Sequence, residues 1–334
     1  MWHIGIDLHR RMLVMAAVKD DGEVIDPLRI DCQDTAAILQ VVEDLRPFRA
    51  VIEASGTYRW LYDLLSPHGT VLLAHPLRLR AMIQRRAKTD KLDAQLLANL
   101  LRIGQVPLAY VPPKNYQHLR DLTRCRARLI RGQAKAKNNL RALLARQNRA
   151  APYKIPFGPR GLAWFRKEDF GPIENLVRDQ LLAQLEHYAH HVAVLDRQIG
   201  QVGKDFLQVE ALLDIYGMGV FSALVIIAEL GEVERFRTAK QVGAYAGLTC
   251  RVHQSGGHCY HGSITHQGSP WLRWVLVQVA MHVVREDVAL RNFYTRIRKR
   301  SSAKIARVAT ARKLAEICWK RLRRWHEQHG RKAA

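Results

Sequence analysis

Residues 3–22 read HIGIDLHRRMLVMAAVKDDG. Two apolar runs, HIGID and LVMAAVK, are joined by a short polar stretch, and the second ends at Asp20-Asp21-Gly22, a hairpin turn signal. The chain therefore begins with paired strands, and Asp7 falls at the end of the first. Helical spacing follows in TAAILQVVEDL (35–45), then a short strand run, RAVIEA (49–54), carrying Glu53 near its end. SGTYRWLYDLL (55–65) starts with turn residues and becomes helical, and TVLLAHP (70–76) is a strand closed by Pro76. LRLRAMIQRR (77–86) and DKLDAQLLANLLRIG (90–104) read as helices. Hairpin strands followed by alternating helices and strands predict a mixed α/β layer fold.

Pro112-Pro113 ends that pattern, and long helices follow. Steps of four and three from Leu181 land on Leu185, Tyr188, Val192, Leu195, Ile199, Val202, Phe206 and Val209, an unbroken apolar seam of coiled-coil type. A looser seam runs through Leu119, Leu122, Leu129, Ala136, Leu140 and Leu143, interrupted by Arg126 and Gln133. The Pro/Gly loop APYKIPFGPRGLAWF lies between them, so the two helices are expected to fold back as an antiparallel pair or to seam against another subunit. Further on, Gly217-Met218-Gly219 sits between two helical segments. That matches a helix-hairpin-helix pattern, although an αα-corner with glycines at a close approach has the same spacing.

The 334-residue chain carries a formal charge of +23, and its distribution is uneven. Residues 1–76 hold seven Lys/Arg and eleven Asp/Glu, so the rest of the chain carries +27. Lys114 to Arg149 contains eleven cations and one acid, and Arg291 to Ala334 fifteen cations and two acids. Such a body suits a nucleic-acid polyanion, because cations that meet phosphates release condensed counterions. No long uncharged apolar run or signal-peptide pattern favours a membrane. Five scattered cysteines fit a reducing cytoplasm better than a disulfide framework.

Asp90 and Asp93 stand i,i+3 at the start of a helix crowded by Arg86, Lys88 and Lys91, and both can face one point. Thr89 or Asp90 could simply cap that helix, with acids suiting its dipole. Asp7 and Glu53 end strands on the side where α/β sheets usually build sites. Four carboxylates gathered there would repel one another, and a hard divalent ion, magnesium or manganese, removes the conflict. Two such ions about 3.5–4 Å apart stabilise the attacking and leaving oxygens of a phosphodiester displacement. Downstream, Ser255-Gly256-Gly257 reads as a flexible polar loop whose glycines let a serine approach a phosphate backbone. Ser263 lies close by, and the surrounding Cys250, His253, His258, Cys259, His261 and His266 raise zinc as an alternative, without paired ligand spacings.

GIDLH at residues 5–9, EASGTY around Glu53 and KTDKLDAQLLA at 88–98 resemble the DEDD domain of the transposases of insertion-sequence family one-ten. IYGMG through AELGEVERF, then AYAGL, SGG and GSIT-x-x-G-x-x-x-LR, resemble that family's second domain. The resemblance implies an α/β RNase H-like (RuvC-like) catalytic domain over 1–113 and a coiled-coil helical insertion over 114–210. A mainly α-helical transposase domain with the helix-hairpin-helix motif, serine loop and basic tail would cover 211–334. It implies a prokaryotic, nucleoid-associated DNA recombinase of a mobile element, with Asp7, Glu53, Asp90 and Asp93 as metal ligands and Ser255 as the nucleophile forming a phosphoserine link. Its implied partners are the element ends and target DNA, a bridge RNA encoded by the element, and further copies of the chain as a dimer or tetramer.

A RuvC-like nuclease or Holliday-junction resolvase, with water as nucleophile on the same acids, is the alternative within this fold. A non-catalytic RNA-binding or chromosome-organising protein would leave the acids incidental. An actin-like ATPase would need a second glycine-rich phosphate loop, which the sequence lacks.

Overall fold

The computed structural model describes residues 1–82, 89–255 and 258–330. These fall into two compact units, 1–111 and 112–334. In the first, β1 (Trp2–Leu8), β2 (Met12–Lys19) and β3 (Val24–Asp31) form an antiparallel meander, followed by α1 (Thr35–Asp44), β4 (Phe48–Glu53), α2 (Tyr58–Leu65), β5 (Thr70–Ala74), α3 (Pro76–Met82) and α4 (Asp90–Arg102). The sheet order is β3-β2-β1-β4-β5, with β1, β4 and β5 parallel. The mixed α/β expectation holds. The sequence reading missed β3: it alternates in burial as a half-wet edge strand and contains Pro27, a residue that sheets confine to edges and bulges. The predicted helix over 77–86 is described as far as Met82, and its last four residues lie outside the described residues.

Strand alternation sorts the side chains of β1 between two layers. Ile4 and Ile6 join Ile52, Ile38, Val42, Leu61 and Leu65 in a core under α1 and α2. Gly5 faces the other way, where Val51, Leu97 and Leu101 pack in the layer holding α4. A Cβ on Gly5 would stand 2.1 Å from the Ala94 carbonyl oxygen and 2.3 Å from the Ala98 amide nitrogen. Backbone of α4 therefore rests directly on β1, and only glycine permits it. Asp7 follows Gly5 on that same face.

The second unit is helical: α5 (Lys114–Arg146), α6 (Pro159–Lys167), α7 (Pro172–Asp205), α8 (Glu210–Leu213), α9 (Val220–Leu230) and α10 (Ala239–Tyr245) precede a ribbon of β6 (Cys250–Ser255) and β7 (His258–Ile264). Helices α11 (Pro270–Glu286), α12 (Val288–Arg300) and α13 (Ala303–Gly330) complete it. Helices α5 and α7 run antiparallel, since Arg126 pairs with Asp196 while Gly132, further along α5, meets Tyr188, further back on α7. Leu181, Leu185, Ile199, Phe206 and Val209 of the seam are buried. Arg126 interrupts the α5 seam because its guanidinium makes two hydrogen bonds to the Asp196 carboxylate, at 2.9 and 3.3 Å.

Helix α9 is apolar all round and almost wholly buried, the pattern of a central helix. Its one acid, Glu229, is 1% exposed. Arg124 donates to both Glu229 oxygens, at 2.7 and 2.9 Å, and the Ser269 hydroxyl donates at 2.8 Å. Arg120 meanwhile donates to the carbonyls of Ala228 and Glu229. One buried carboxylate thus ties α5 and the start of α11 to α9.

Two stability predictions follow from these contacts. Gly5→Ala should destabilise the α/β unit by about 1–3 kcal/mol through forced displacement of α4, read as a lowered urea midpoint. Glu229→Gln leaves the Arg124 charge unanswered. Removing one partner of a buried pair costs about 3–5 kcal/mol; because the Arg124 side chain keeps 26% of its exposure, about 2–3 kcal/mol is expected in the same measurement.

Candidate functional site

Thr89 caps α4, its hydroxyl accepting from the Leu92 amide at 3.3 Å. The bland role for Asp90 is thereby taken, and its carboxylate turns to the sheet instead. The Nε2 of His9 lies 3.2 Å from Asp90 Oδ1 and 3.2 Å from Asp7 Oδ2. Ligand atoms of Asp7, His9 and Asp90 all fall within 4.8 Å of one another. His9 follows Asp7 by two residues and its amide donates to the Met12 carbonyl across the turn between β1 and β2. Sequence reasoning gave it no role. Its place two residues beyond Asp7, at the turn after β1, does not by itself mark it out.

Burial raises the Asp7 pKa above the usual carboxylate value of 3.8; His9 pulls it down, and the charges of Asp90 and Asp93 push it up again. Asp93 is therefore close enough for its charge to be felt at Asp7. Glu53 closes β4 one residue beyond the pair Ile6–Ile52, in the register position beside Asp7, and is half-buried. The strand alternation that puts Val51 on the α4 side puts Glu53 there too. The described contacts gather Asp7 and Asp90 at His9; Asp93 adjoins through its charge on Asp7, and Glu53 through sheet register alone.

Two carboxylate oxygens and an imidazole nitrogen are a donor set that can hold a divalent cation. The raised Asp7 pKa points the same way: the site is short of positive charge, and a dication would satisfy the half-buried carboxylate better than one imidazole does.

The residues on either side of the expected polar loop form the antiparallel ribbon β6–β7, with Ser255 paired in register with His258 at its end. Gly256 and Gly257 lie outside the described residues, as do the side chains of Ser255, His253, His258 and His261; the serine and zinc readings fall on those side chains. Ser263 lies within β7, and the thiols of Cys250 and Cys259 are exposed. Gly217 adopts φ +75 ahead of α9, and a Cβ there would stand 2.4 Å from the Cβ of His282, so this turn is both tight and closely packed. No described helix is long and apolar enough to cross a membrane.

An acid cluster on a small mixed sheet, joined in one chain to a strongly cationic helical unit, is the equipment of a protein that works on nucleic acid. A DEDD-type IS110 model described as "Transposase" matches residues 4–148, and a second, "Transposase IS116/IS110/IS902 family", matches 209–295. A "probable family 20 transposase" of Pseudomonas aeruginosa is 28% identical over 96% of both chains. The transposase of insertion sequence element IS1328 from Yersinia enterocolitica is 25% identical over 95% of both. A pilin gene-inverting protein of Moraxella bovis is 26% identical, covering 80% of this chain and 78% of its own. The fold and these likenesses define a transposase. The chain belongs to the IS110 family of insertion-sequence transposases.

The strained Asp7 charge makes a testable trade. An aspartate whose folded pKa is raised binds more protons folded than unfolded, so it lowers stability as pH climbs from 3.8 through its folded value. Asp7→Asn should therefore raise the neutral-pH melting temperature in chelator. Added divalent cation should stabilise the native chain and leave the variant almost unmoved; stabilisation of both alike would place the cation elsewhere.

Proposed function

We propose that this transposase is a DNA recombinase of its insertion sequence, cutting and rejoining strands through a serine–phosphodiester link with divalent-metal assistance. The observation that carries the reading is the meeting of Asp7 and Asp90 at His9, with Asp93 felt electrostatically at Asp7 and Glu53 in the adjoining register position, in a chain of this family. On this reading residues 1–113 form an RNase H-like domain and 114–210 a coiled-coil insertion. Residues 211–334 form the serine-bearing domain with a helix-hairpin-helix at Gly217-Met218-Gly219. Asp7, Glu53, Asp90 and Asp93 are the ligands of magnesium or manganese.

Bound there, the metal supplies Lewis-acid stabilisation of charge on the phosphate oxygens. The acids of this chain fix its position, and the cation-rich helices hold the DNA backbone. The Ser255 hydroxyl attacks a backbone phosphorus, giving up its proton as the new O–P bond forms. The bond from phosphorus to one strand oxygen breaks, and that oxygen takes up a proton. Because one phosphoester replaces another, the step reverses onto a different strand end without ATP. The name of the Moraxella relative, which inverts a pilin gene, supports strand rejoining over simple cleavage.

The protein works at the nucleoid in the cytoplasm as a dimer or tetramer, with acids and serine from different subunits completing each site. An element-encoded bridge RNA pairs with donor and target DNA, so the protein reads shape and backbone while base pairing reads sequence.

Ser255→Ala should abolish protein-linked DNA on denaturing gels while leaving DNA binding intact. Asp90→Asn, Glu53→Gln or chelator should abolish strand cutting by native protein, with DNA affinity equal or higher. Free DNA ends without linked protein would transfer the chemistry to water, as in a junction resolvase. Undiminished cutting in chelator would remove the metal from the mechanism.

A further inference from the structure

The five arginines of α5 between residues 120 and 131 divide into two kinds. Arg120, Arg124 and Arg126 are engaged within the fold, by the carbonyls of Ala228 and Glu229, the Glu229 carboxylate and Asp196 respectively. Arg128 and Arg131 are exposed and have no acid partner among the described residues. They lie instead on aromatic rings of α11. The Arg131 guanidinium carbon stands 4.3 Å from the ring centre of Trp271 and 5.8 Å from that of Trp274, and that of Arg128 stands 5.7 Å from Trp271. Trp274 meets Phe221 at 6.4 Å, nearly edge-on, and Phe221 carries the Arg126 guanidinium at 4.3 Å. Six side chains from α5, α9 and α11 form one connected row of cations and rings.

A freely solvated surface arginine gains little from being held in one shape, because ordering its long side chain costs rotamer entropy. Here the rings stand within cation–π reach of the guanidiniums, and Trp274 is itself packed against the helical core. A guanidinium held beside a ring still presents its N–H fork in the plane of the group, which is the geometry that grips phosphate. Charge for solubility would need neither the order nor the tryptophans. The surrounding charge also selects a polyanion, with eleven cations against one acid from Lys114 to Arg149.

The geometry points to this row as a seat for the DNA backbone, with Arg128 and Arg131 gripping phosphates and Trp271 and Trp274 holding the arginines in position. The inference takes DNA as the partner from the recombinase reading, but it is independent of the metal and of Ser255. The test is therefore a binding measurement, made in chelator so that any metal-dependent cutting is suppressed. Binding of a short fluorescein-labelled DNA duplex is followed by anisotropy between about 50 and 200 mM salt. Arg128→Gln with Arg131→Gln should flatten the slope of log affinity against log salt by about 1.8, two phosphates at roughly 0.9 each. Trp271→Leu should weaken binding several-fold, on the order of fivefold, with the slope kept, because the charges remain and only their placement is lost. The double lysine variant, Arg128→Lys with Arg131→Lys, should behave likewise and guards against a folding defect in the glutamine pair. Arg197→Gln with Lys204→Gln, exposed cations of α7, is the matched control and should leave the slope near native.

An unchanged slope in the Arg128/Arg131 glutamine pair, or an equal fall in the control, overturns the seat. A fall seen with an RNA oligonucleotide of the same sequence but not with DNA overturns the choice of DNA. Loss of cutting by Asp90→Asn, with the salt slopes as expected, would bear on the metal chemistry alone.

Discussion

The α/β unit depends on how closely α4 lies on β1. A carbonyl and an amide of the helix occupy the space a Cβ on residue 5 would need, so Gly5 fixes the height of α4 above the sheet. That height sets where the helix begins, and its first turn carries Asp90 and Asp93. Thr89 takes over the capping, Asp90 meets His9, and Asp93 comes within electrostatic reach of Asp7. Strand order does the rest: β1 and β4 are parallel neighbours, so Asp7 and Glu53 reach the same edge of the sheet on the same face. A missing methyl group and a threonine cap thus bring acids from distant parts of the chain together.

Gathering them has a cost that shows in one residue. Burial and two neighbouring carboxylates raise the Asp7 pKa, and His9 offsets only part of it. Packing alone does not call for such a cluster; an amide would fill the same space without the penalty. Local strain of this kind is common where a site has been shaped for a charge that arrives later. The helical unit treats its one deeply buried acid in the opposite way. Glu229 has both oxygens answered by Arg124 and a third donor in Ser269, and it serves to tie helices together.

Much of the α/β unit was legible because its local signals agree: alternating or continuous apolar runs, turn residues between them, and a capped helix start. Strand β3 was not legible, since an edge strand with Pro27 buries too little for its pattern to stand out. The α7 seam was plain at a period of 3.5, whereas that of α5 was broken by Arg126, whose reason for being there, Asp196, lies 70 residues away. Ribbon β6–β7 was concealed by its glycines and histidines; Val252 and Tyr260, its best strand formers, are exposed and so leave no burial pattern. At the candidate site the acids could be found by type and position, because strand ends and helix starts are local features. His9 could not, because its partner Asp90 is a tertiary neighbour, and nothing in GIDLH distinguishes it from a histidine at the mouth of a turn.

The same distinction governs the positive charge. Counting cations along α5 predicts a polyanion partner but treats all arginines alike. Three of them are already answered by groups of the fold and so have less to offer a phosphate outside it, while Arg128 and Arg131 are ordered by rings that arrive from α11, some 140 residues on. A side chain already held in place loses less entropy on binding than one recruited from solution. Affinity for DNA is therefore expected to concentrate where cations are both unpaired and ordered, rather than to follow the net charge of a segment. Net charge brings the polyanion to the surface; the tertiary packing of α5, α9 and α11 decides which cations are left to receive it.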